Sequence, residues 1–120
     1  MEFMILIHGD ESSPRLAPGD PGFEEYMGAW FAYNQMLIDG GHWVGGANLA
    51  PTSSATTLRH TPGRSPEIVD GPFAETKEQF GGYYLISAEN LDEAIELAKK
   101  LPMDNGSLEI RPVAFRPDAG

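Results

Sequence analysis

The stretch Asp70–Tyr84, DGPFAETKEQFGGYY, joins a turn, a polar loop and the start of a strand. Its opening Asp-Gly-Pro is typical of a turn, because glycine and proline supply backbone angles that other residues adopt less readily. Its Gly81-Gly82 pair lets another backbone or a ligand approach closely. We therefore expect a tight turn, an exposed loop and then a strand from Gly82 to Ala88.

The composition is that of one folded domain covering residues 1–120. The chain is 41% hydrophobic and 22% charged, which is the ordinary globular range. It contains no cysteine, which excludes disulfides, thiolate nucleophiles and cysteine-ligated zinc or iron–sulfur sites. A chain of this length buries roughly two-thirds of its unfolded surface, enough for a real core.

The net charge of −10 argues against two classes of partner. An acidic protein repels both the phosphates of nucleic acid and anionic lipid. The N-terminal MEFMILIHGDE has no basic segment or cleavage site and indicates a strand, not a signal peptide. No run approaches the roughly 20 apolar residues of a membrane span. We predict a cytoplasmic protein with no nucleic-acid or membrane partner.

The first half of the chain predicts a strand followed by a helix. Phe3 to Ile7 is an apolar run of strand length. Asp20 is placed to cap a helix with Pro21 at its first position, and Gly40-Gly41 ends it. From His42 to Leu49 the residues alternate, so one face would carry His42, Val44, Gly46 and Asn48. The two glycines in that strand indicate a bulge or a close approach.

The second half predicts a hairpin, a strand, a helix and a last strand. Thr56 to His60 and Glu67 to Val69 flank the turn-forming TPGRSP sequence. Asn90 with Glu93 gives a capping-box-like start to an amphipathic helix. The final strand, Leu108 to Phe115, contains Pro112, which indicates an edge position or a bulge.

This order of elements predicts an α+β fold of the ferredoxin-like kind, βαβ(ββ)βαβ, with an antiparallel sheet and two helices on one face. Phe3 to Ile7 and Gly82 to Ala88 are apolar or aromatic on both faces. The face without helices would then be covered by a second copy, so we expect a homodimer.

Several motifs together resemble the YCII-related family, in particular its DGPF-containing branch. The resemblance rests on DGPFAETKE at 70–78 and GGYY at 81–84, and it extends to MILIHGDE at 4–11, LDEA at 91–94 and EIRPV at 109–113. It implies a dimeric α+β barrel with a cleft between sheet and helices. It implies no particular reaction, although the wider superfamily includes isomerases, lyases and oxygenases acting on small ring compounds.

The chain departs from the residues that the resemblance associates with acid–base chemistry. Other YCII proteins carry a histidine near the start of the first helix, where this chain has Phe23 to Tyr26. They carry an aspartate after the second strand, where this chain has Pro51-Thr52-Ser53. Ala47 stands where the branch tends to have an acid, and His8 where it tends to have an aromatic residue. The chain therefore lacks both residues of that catalytic pair at these positions.

Three residues are candidates for proton transfer. Asp70 could be a general base at the mouth of the cleft, although a turn in which its carboxylate accepts backbone N–H groups is the more common role. His8 and His42 could converge with Asn48 on one pocket, and histidine suits proton transfer at neutral pH. The alternative for both is a hydrogen-bonded core or interface histidine. Since His60 and these histidines lack ligand spacing, we expect no metal.

The candidate substrate-binding residues are Asn48, Glu75, Lys77, Tyr83 and Arg111. The charged residues at 75–78 could equally be a solvated loop. Arg111 could hold a carboxylate, or it could pair with Glu109 at the surface.

No phosphate loop, dinucleotide fingerprint, nucleophile elbow or HExxH is present, so we predict no cofactor. The leading hypothesis is a cofactor-independent small-molecule enzyme or binder, with acid–base chemistry on an aromatic or carbonyl compound. The alternative is a non-catalytic dimeric interaction or regulatory module associated with transcription control. A cleft between helices and sheet filled by Tyr26, Trp30, Tyr83 and Tyr84 would favour the module.

Overall fold

The computed structural model describes residues 1–117 and contains six strands and two helices. In chain order they are β1 (Glu2–Gly9), α1 (Phe23–Asp39), β2 (Trp43–Asn48), β3 (Thr56–Arg59), β4 (Glu67–Asp70), β5 (Gln79–Ser87), α2 (Leu91–Lys99) and β6 (Ser107–Pro112). A short 3-10 turn, Thr52–Ser54, follows β2.

Four strands form the main sheet in the order β2-β5-β1-β6, and every neighbouring pair is antiparallel. β3 and β4 form a separate two-stranded sheet inserted between β2 and β5. This arrangement confirms the predicted ferredoxin-like α+β fold and the extra hairpin. It also confirms an edge position for Pro112, since β6 is the last strand of the sheet.

The core lies between the sheet and the two helices. Phe3 and Ile5 of β1 lie opposite Ile86 and Tyr84 of β5, and all four side chains are buried. The helices cover this face with Tyr33, Leu37, Ala94, Leu97 and Ala98. The Tyr33 hydroxyl donates to the Leu97 carbonyl at 2.9 Å, which joins the two helices. Burial, with a smaller contribution from Tyr84, raises the pKa of Tyr33 above its ordinary value.

The opposite face of the sheet is apolar at its centre. Met4 and Leu6 of β1 lie opposite Leu85 and Tyr83 of β5, and all four are half-buried. Alternation along the strands turns these side chains away from the helix-covered core. Within residues 1–117 both helices belong to the other face, so we call this one the open face.

The prediction for the start of α1 was wrong by two residues. The Asp20 carboxylate accepts the Ala17 N–H at 2.7 Å and so closes the preceding turn instead of capping the helix. Gly22, with φ of 86°, is the residue before the first helical turn. Only glycine adopts this left-handed conformation at little cost, so it redirects the chain into Phe23.

The alternation predicted for β2 was wrong because of a bulge. Trp43 pairs with Ile86 and Gly45 with Leu85, so Val44 is the extra residue. Trp43 therefore shares the helix-side face with Gly46, and its ring meets that of Tyr84 edge-on at 5.9 Å. A Cβ on Gly46 would lie 3.0 Å from the Tyr83 carbonyl oxygen and 3.3 Å from both rings, which explains why a glycine stands there.

The capping-box-like start predicted for α2 is confirmed, with the Glu93 side chain bonding the residue before the cap instead of Asn90 itself. The Asn90 side chain accepts the Glu93 N–H at 2.9 Å, and Glu93 accepts the Glu89 N–H at 3.0 Å. The helix then begins at Leu91.

Neither helix of residues 1–117 has the length and apolar character to cross a membrane. The cytoplasmic location remains a prediction from the sequence.

Candidate functional site

The polar groups that follow β1 and β2 meet at one edge of the sheet. Both strands are antiparallel to β5, so they run in the same direction and end at the same edge. The loop containing the DGPF sequence reaches this edge too, and residues 71–79 are here called the signature loop. A cavity of about 420 Å³ opens there, lined by Glu11, Thr52, Ser53, Gly71, Pro72, Ala74, Glu75, Thr76 and Gln79. This volume is within the range of small-molecule sites.

Glu11 is the best-held acidic group in this cavity. Its two carboxylate oxygens accept the Thr52 N–H at 2.9 Å and the Thr52 hydroxyl at 2.6 Å. Hydrogen bonds to a charged carboxylate favour that form, so the Thr52 hydroxyl and then its N–H lower the pKa of Glu11. The carboxylate is therefore ionised at neutral pH and can accept hydrogen bonds from a ligand.

Gln79 fixes Glu11 relative to the signature loop. Its side-chain oxygen accepts the Glu11 N–H at 2.9 Å, and its side-chain nitrogen donates to the Thr76 carbonyl. One amide thus bonds the end of β1 to the loop that forms the opposite wall of the cavity. This clamp sets the distance between the two walls.

The turn at Asp70 is held by its neighbours and not by its carboxylate. Gly71, with φ of 103°, donates its N–H to the Ala55 carbonyl and accepts the Thr57 hydroxyl, both at 2.8 Å. Asp70 itself is the exposed last residue of β4, and no donor within residues 1–117 bonds its carboxylate. The carboxylate-capped turn was therefore the wrong expectation, and the Asp70 side chain lies outside the cavity lining.

His42 lies at the opposite end of the sheet, beside a second cavity of about 360 Å³. Its Nδ1 is 2.8 Å from the Ser87 carbonyl oxygen. A carbonyl only accepts, so Nδ1 carries the hydrogen and Nε2 of the neutral ring is left as an acceptor. A Glu93 carboxylate oxygen lies 4.0 Å from Nδ1. The ring is thus oriented as a general base would be.

His8 lies on the open face. Its ring centroid is 5.6 Å from that of Phe80, and its Nε2 is 3.6 Å from a Glu109 carboxylate oxygen. Glu109 therefore faces His8, and the predicted alternative of a Glu109–Arg111 pair is not formed within residues 1–117.

The structure does not bring His8, His42 and Asn48 together. His8 pairs with Phe80, and His42 bonds Ser87 seven residues further along β5. That separation is about 23 Å at 3.3 Å per residue. Asn48 lies opposite Gly82, near the signature loop. The predicted convergence fails because β1 and β2 run in the same direction, so His8 near the end of β1 and His42 before the start of β2 lie at opposite ends of the sheet.

The other predicted binding residues are also dispersed. Glu75 lines the signature-loop cavity, whereas Lys77 is exposed beyond it. Tyr83 is on the open face opposite Leu6, and Arg111 is exposed on the edge strand opposite Met4. Of the five, only Glu75 contributes to a cavity wall described here.

The region between the helices and the sheet is occupied by packed side chains. Tyr84 stacks edge-on against Tyr33, with centroids 5.4 Å apart, and its hydroxyl bonds Asn34. Tyr83 points to the other face, and Tyr26 is exposed. The aromatic filling that would disfavour a central cleft is thus present. Of the predicted residues, Tyr84 and the half-buried Trp30 contribute to it, together with Tyr33 and Trp43.

Residues 1–115 match the family described as the YCII-related domain. The chain belongs to the YCII-related family. A relative from Rhizobium meliloti (strain 1021), itself an uncharacterized protein, is 39% identical over 118 residues, which cover 96% of this chain and 94% of the relative. Neither the family description nor the relative's name specifies a reaction.

Three residues that line the cavity of this YCII-related domain were not predicted as site residues from the sequence. Glu11, Thr52 and Gln79 form the hydrogen-bonded part of the cavity. Topology was the available signal, because an acid after β1 and a hydroxyl after β2 must share a sheet edge in the ferredoxin-like order. Thr52 follows the second strand, where the resemblance leads one to look for an acid, and Glu11 supplies a carboxylate from the neighbouring loop.

Within residues 1–117 no group of three or more His, Cys, Asp or Glu side chains is placed to hold an ion. The polar groups that line the cavity are carboxylates, hydroxyls and one amide, from Glu11, Glu75, Thr52, Ser53, Thr76 and Gln79.

Proposed function

We propose that this YCII-related domain binds a small molecule in the signature-loop cavity and that Glu11 is the principal binding group. The double hydrogen bond from Thr52 to the Glu11 carboxylate supports this proposal. A carboxylate held ionised offers only acceptor positions, so the ligand should present N–H or O–H groups. The hydroxyls of Thr52 and Thr76 complete a polar lining.

The experiment is a thermal-shift screen of small amines, polyols, phenols and acids, with each hit repeated on variants. A ligand at a hundred times its Kd adds about 2.7 kcal/mol of stability. Glu11→Gln should abolish the shift, whereas the matched control Glu25→Gln, an exposed carboxyl on α1, should retain it. A hit that survives Glu11→Gln undiminished would contradict the proposed site.

Acid–base chemistry on a small aromatic or carbonyl compound is the second candidate, and His42 is the residue that supports it. The Ser87 carbonyl fixes the ring so that Nε2 is the acceptor. Positioned general bases contribute about 10²- to 10⁴-fold in rate. For a substrate that binds in the cavity beside His42, His42→Gln should reduce turnover by that order while Asp70→Asn leaves it unchanged. The reverse result would restore Asp70 as the base.

A homodimer formed through the open face completes the proposal. Met4, Leu6, Leu85 and Tyr83 make a half-buried apolar patch there, with Phe80 at its end. Light scattering should give a mass above that of one chain, and Leu6→Asp should lower it. Leu91→Asp, at an exposed leucine on α2, is the control. A dimer with no ligand in the screen would favour the interaction-module alternative.

A further inference from the structure

Two consecutive glycines, Gly40 and Gly41, follow the last residue of α1, and the backbone requires a glycine at only one of these positions. Gly41 has φ of 77°, a left-handed conformation that is costly for residues with a side chain. It therefore suffices to turn the chain out of the helix. Gly40 has φ of −81° and ψ of −3°, which lies in the right-handed region that alanine adopts without strain. The glycine at position 40 thus needs a separate explanation.

The ring of His42 supplies that explanation. A Cβ on Gly40 would lie 2.8 Å from the Cδ2 atom of His42 and 3.1 Å from its Nε2 atom. Carbon atoms in unstrained contact are about 3.5–4.0 Å apart, so the ring occupies the space of a side chain at position 40. The Met36 carbonyl oxygen, at 3.3 Å, is a milder contact. By contrast, nothing lies within 4 Å of a Cβ built on Gly41.

Hydrogen bonds hold His42 so that its ring cannot move aside without losing one of them. The His42 N–H donates to the Leu37 carbonyl, and the His42 carbonyl accepts the Ser87 N–H, both at 2.8 Å. With the main chain held on both sides, rotation of the side chain is the remaining freedom. That rotation would break the bond from Nδ1 to the Ser87 carbonyl oxygen, which is 2.8 Å long. This bond is what leaves Nε2 as the acceptor of the neutral ring.

Gly40 and His42 lie side by side in the wall of the cavity of about 360 Å³. We propose that Gly40 is a positioning residue for His42. The bare Cα at position 40 lets the ring rest against the end of α1, with Nδ1 bonded to Ser87 and Nε2 available to accept a proton. This inference rests on the proposed acid–base role of His42 and adds the residue that sets the orientation of the base.

Nitrogen NMR of the histidine ring tests the positioning without a substrate. At alkaline pH, where histidine is uncharged, the His42 ring should show one tautomer with its hydrogen on Nδ1. The signal is assigned by its loss in His42→Gln. In Gly40→Ala the two ring-nitrogen shifts should move toward each other, because a released ring exchanges between its tautomers. The matched control is Gly28→Ala, since a Cβ on this glycine of α1 meets nothing within 4 Å.

A cycle of two substitutions gives the second readout. Gly40→Ala should lower the Tm more in the wild-type background than in His42→Ala, where the ring is absent. Non-additivity of this kind is expected of residues in contact. Gly28→Ala should change the Tm equally in both backgrounds. If Gly40→Ala alone does not fold, the double variant with His42→Ala should fold, because the contact with the ring has been removed.

A His42 ring that keeps its Nδ1 hydrogen in Gly40→Ala would overturn the proposal, and so would an equal change in Gly28→Ala or a double variant that does not fold. Failure of the acid–base role gives a different result. A tautomer lost only in Gly40→Ala, together with turnover that His42→Gln leaves unchanged, supports the positioning and contradicts the base. Turnover that falls in His42→Gln and not in Gly40→Ala keeps the base and overturns the positioning.

Discussion

The helix-covered body differs in side-chain burial from the β3–β4 hairpin (residues 56–70, here called the arm) and the adjoining signature loop. In the body, every second residue along the centre of β1 and β5 is buried against the helices. In the arm no residue is buried, and the DGPF phenylalanine, Phe73, is 84% exposed. The body therefore supplies most of the burial that stabilises the fold, and the arm and the signature loop contribute little of it.

The junction between the two regions is made of directed polar contacts instead of packing. The Gln79 side chain bonds Glu11, which follows β1, and Thr76 in the signature loop. The Thr57 hydroxyl donates to the Gly71 carbonyl. Polar contacts fix geometry while contributing little net stability, about 0.5–1.5 kcal/mol each. The cavity can thus be well ordered although its walls contain almost no core.

The two regions should differ most when an isoleucine in each is replaced by alanine. Ile86→Ala removes a fully buried side chain of β5 and should cost about 2–5 kcal/mol of unfolding free energy. Ile68→Ala, in the arm, should change it by no more than about 0.5 kcal/mol. Urea unfolding measures both losses. Comparable losses would mean that the arm belongs to the cooperative core.

A second comparison uses two glycines with nearly the same backbone angle. Gly106 has φ of 107° and Gly71 has φ of 103°, so alanine is strained by about 1–2 kcal/mol at either position. A Cβ at Gly106 would also collide with the His8 carbonyl oxygen, whereas nothing lies within 4 Å of one at Gly71. Gly106→Ala should therefore be the more destabilising by about 1–3 kcal/mol. Chemical denaturation decides this, and equal losses would show that the loop before β6 yields as easily as the signature loop.

Removing the hydrogen bond between the two helices should have a smaller effect on stability, and that effect should depend on pH. Tyr33→Phe removes the hydroxyl bond to Leu97 and should cost about 0.5–1.5 kcal/mol. Because the folded-state pKa of Tyr33 is raised, its stabilising contribution is complete below the unfolded pKa of about 10 and is lost as the pH rises further. Urea midpoints from pH 8 to 11 should therefore fall less steeply in Tyr33→Phe than in the control Tyr26→Phe. Parallel profiles would contradict the assignment.

The sequence predicted the body far better than the site, for a physical reason. Apolar runs such as Phe3 to Ile7, and the Asn90–Glu93 cap, are local signals that report their own structure. The pairing of Glu11 with Thr52 spans 41 residues and depends on strand order, which no local pattern encodes. The His8–His42 convergence failed for the same reason. The bulge at Val44 shows the intermediate case, because Gly45-Gly46 indicated an irregularity without fixing which side chains it would move.

The smallest expected effect tests the cavity itself. Thr52→Val removes the hydroxyl bond to Glu11 but keeps the N–H bond, so the pKa of Glu11 should move part of the way back toward its ordinary value. Thr52→Ser retains the hydroxyl and is the matched control. Carbon-detected NMR titration of the Glu11 carboxyl measures the shift directly. An unchanged pKa in Thr52→Val would mean that the hydroxyl does not hold the carboxylate in solution.

The same pair gives a stability test whose sign follows from linkage. A carboxyl with a lowered folded-state pKa contributes stability that is present above its unfolded pKa of about 4.3 and is lost as the pH falls through the folded value. The stability gap between wild type and Thr52→Val should thus be present at pH 7 and close in acid, while Thr52→Ser stays near wild type throughout. A gap independent of pH would instead reflect altered packing of the 3-10 turn, and Glu11 would lose the feature that singles it out as the binding group.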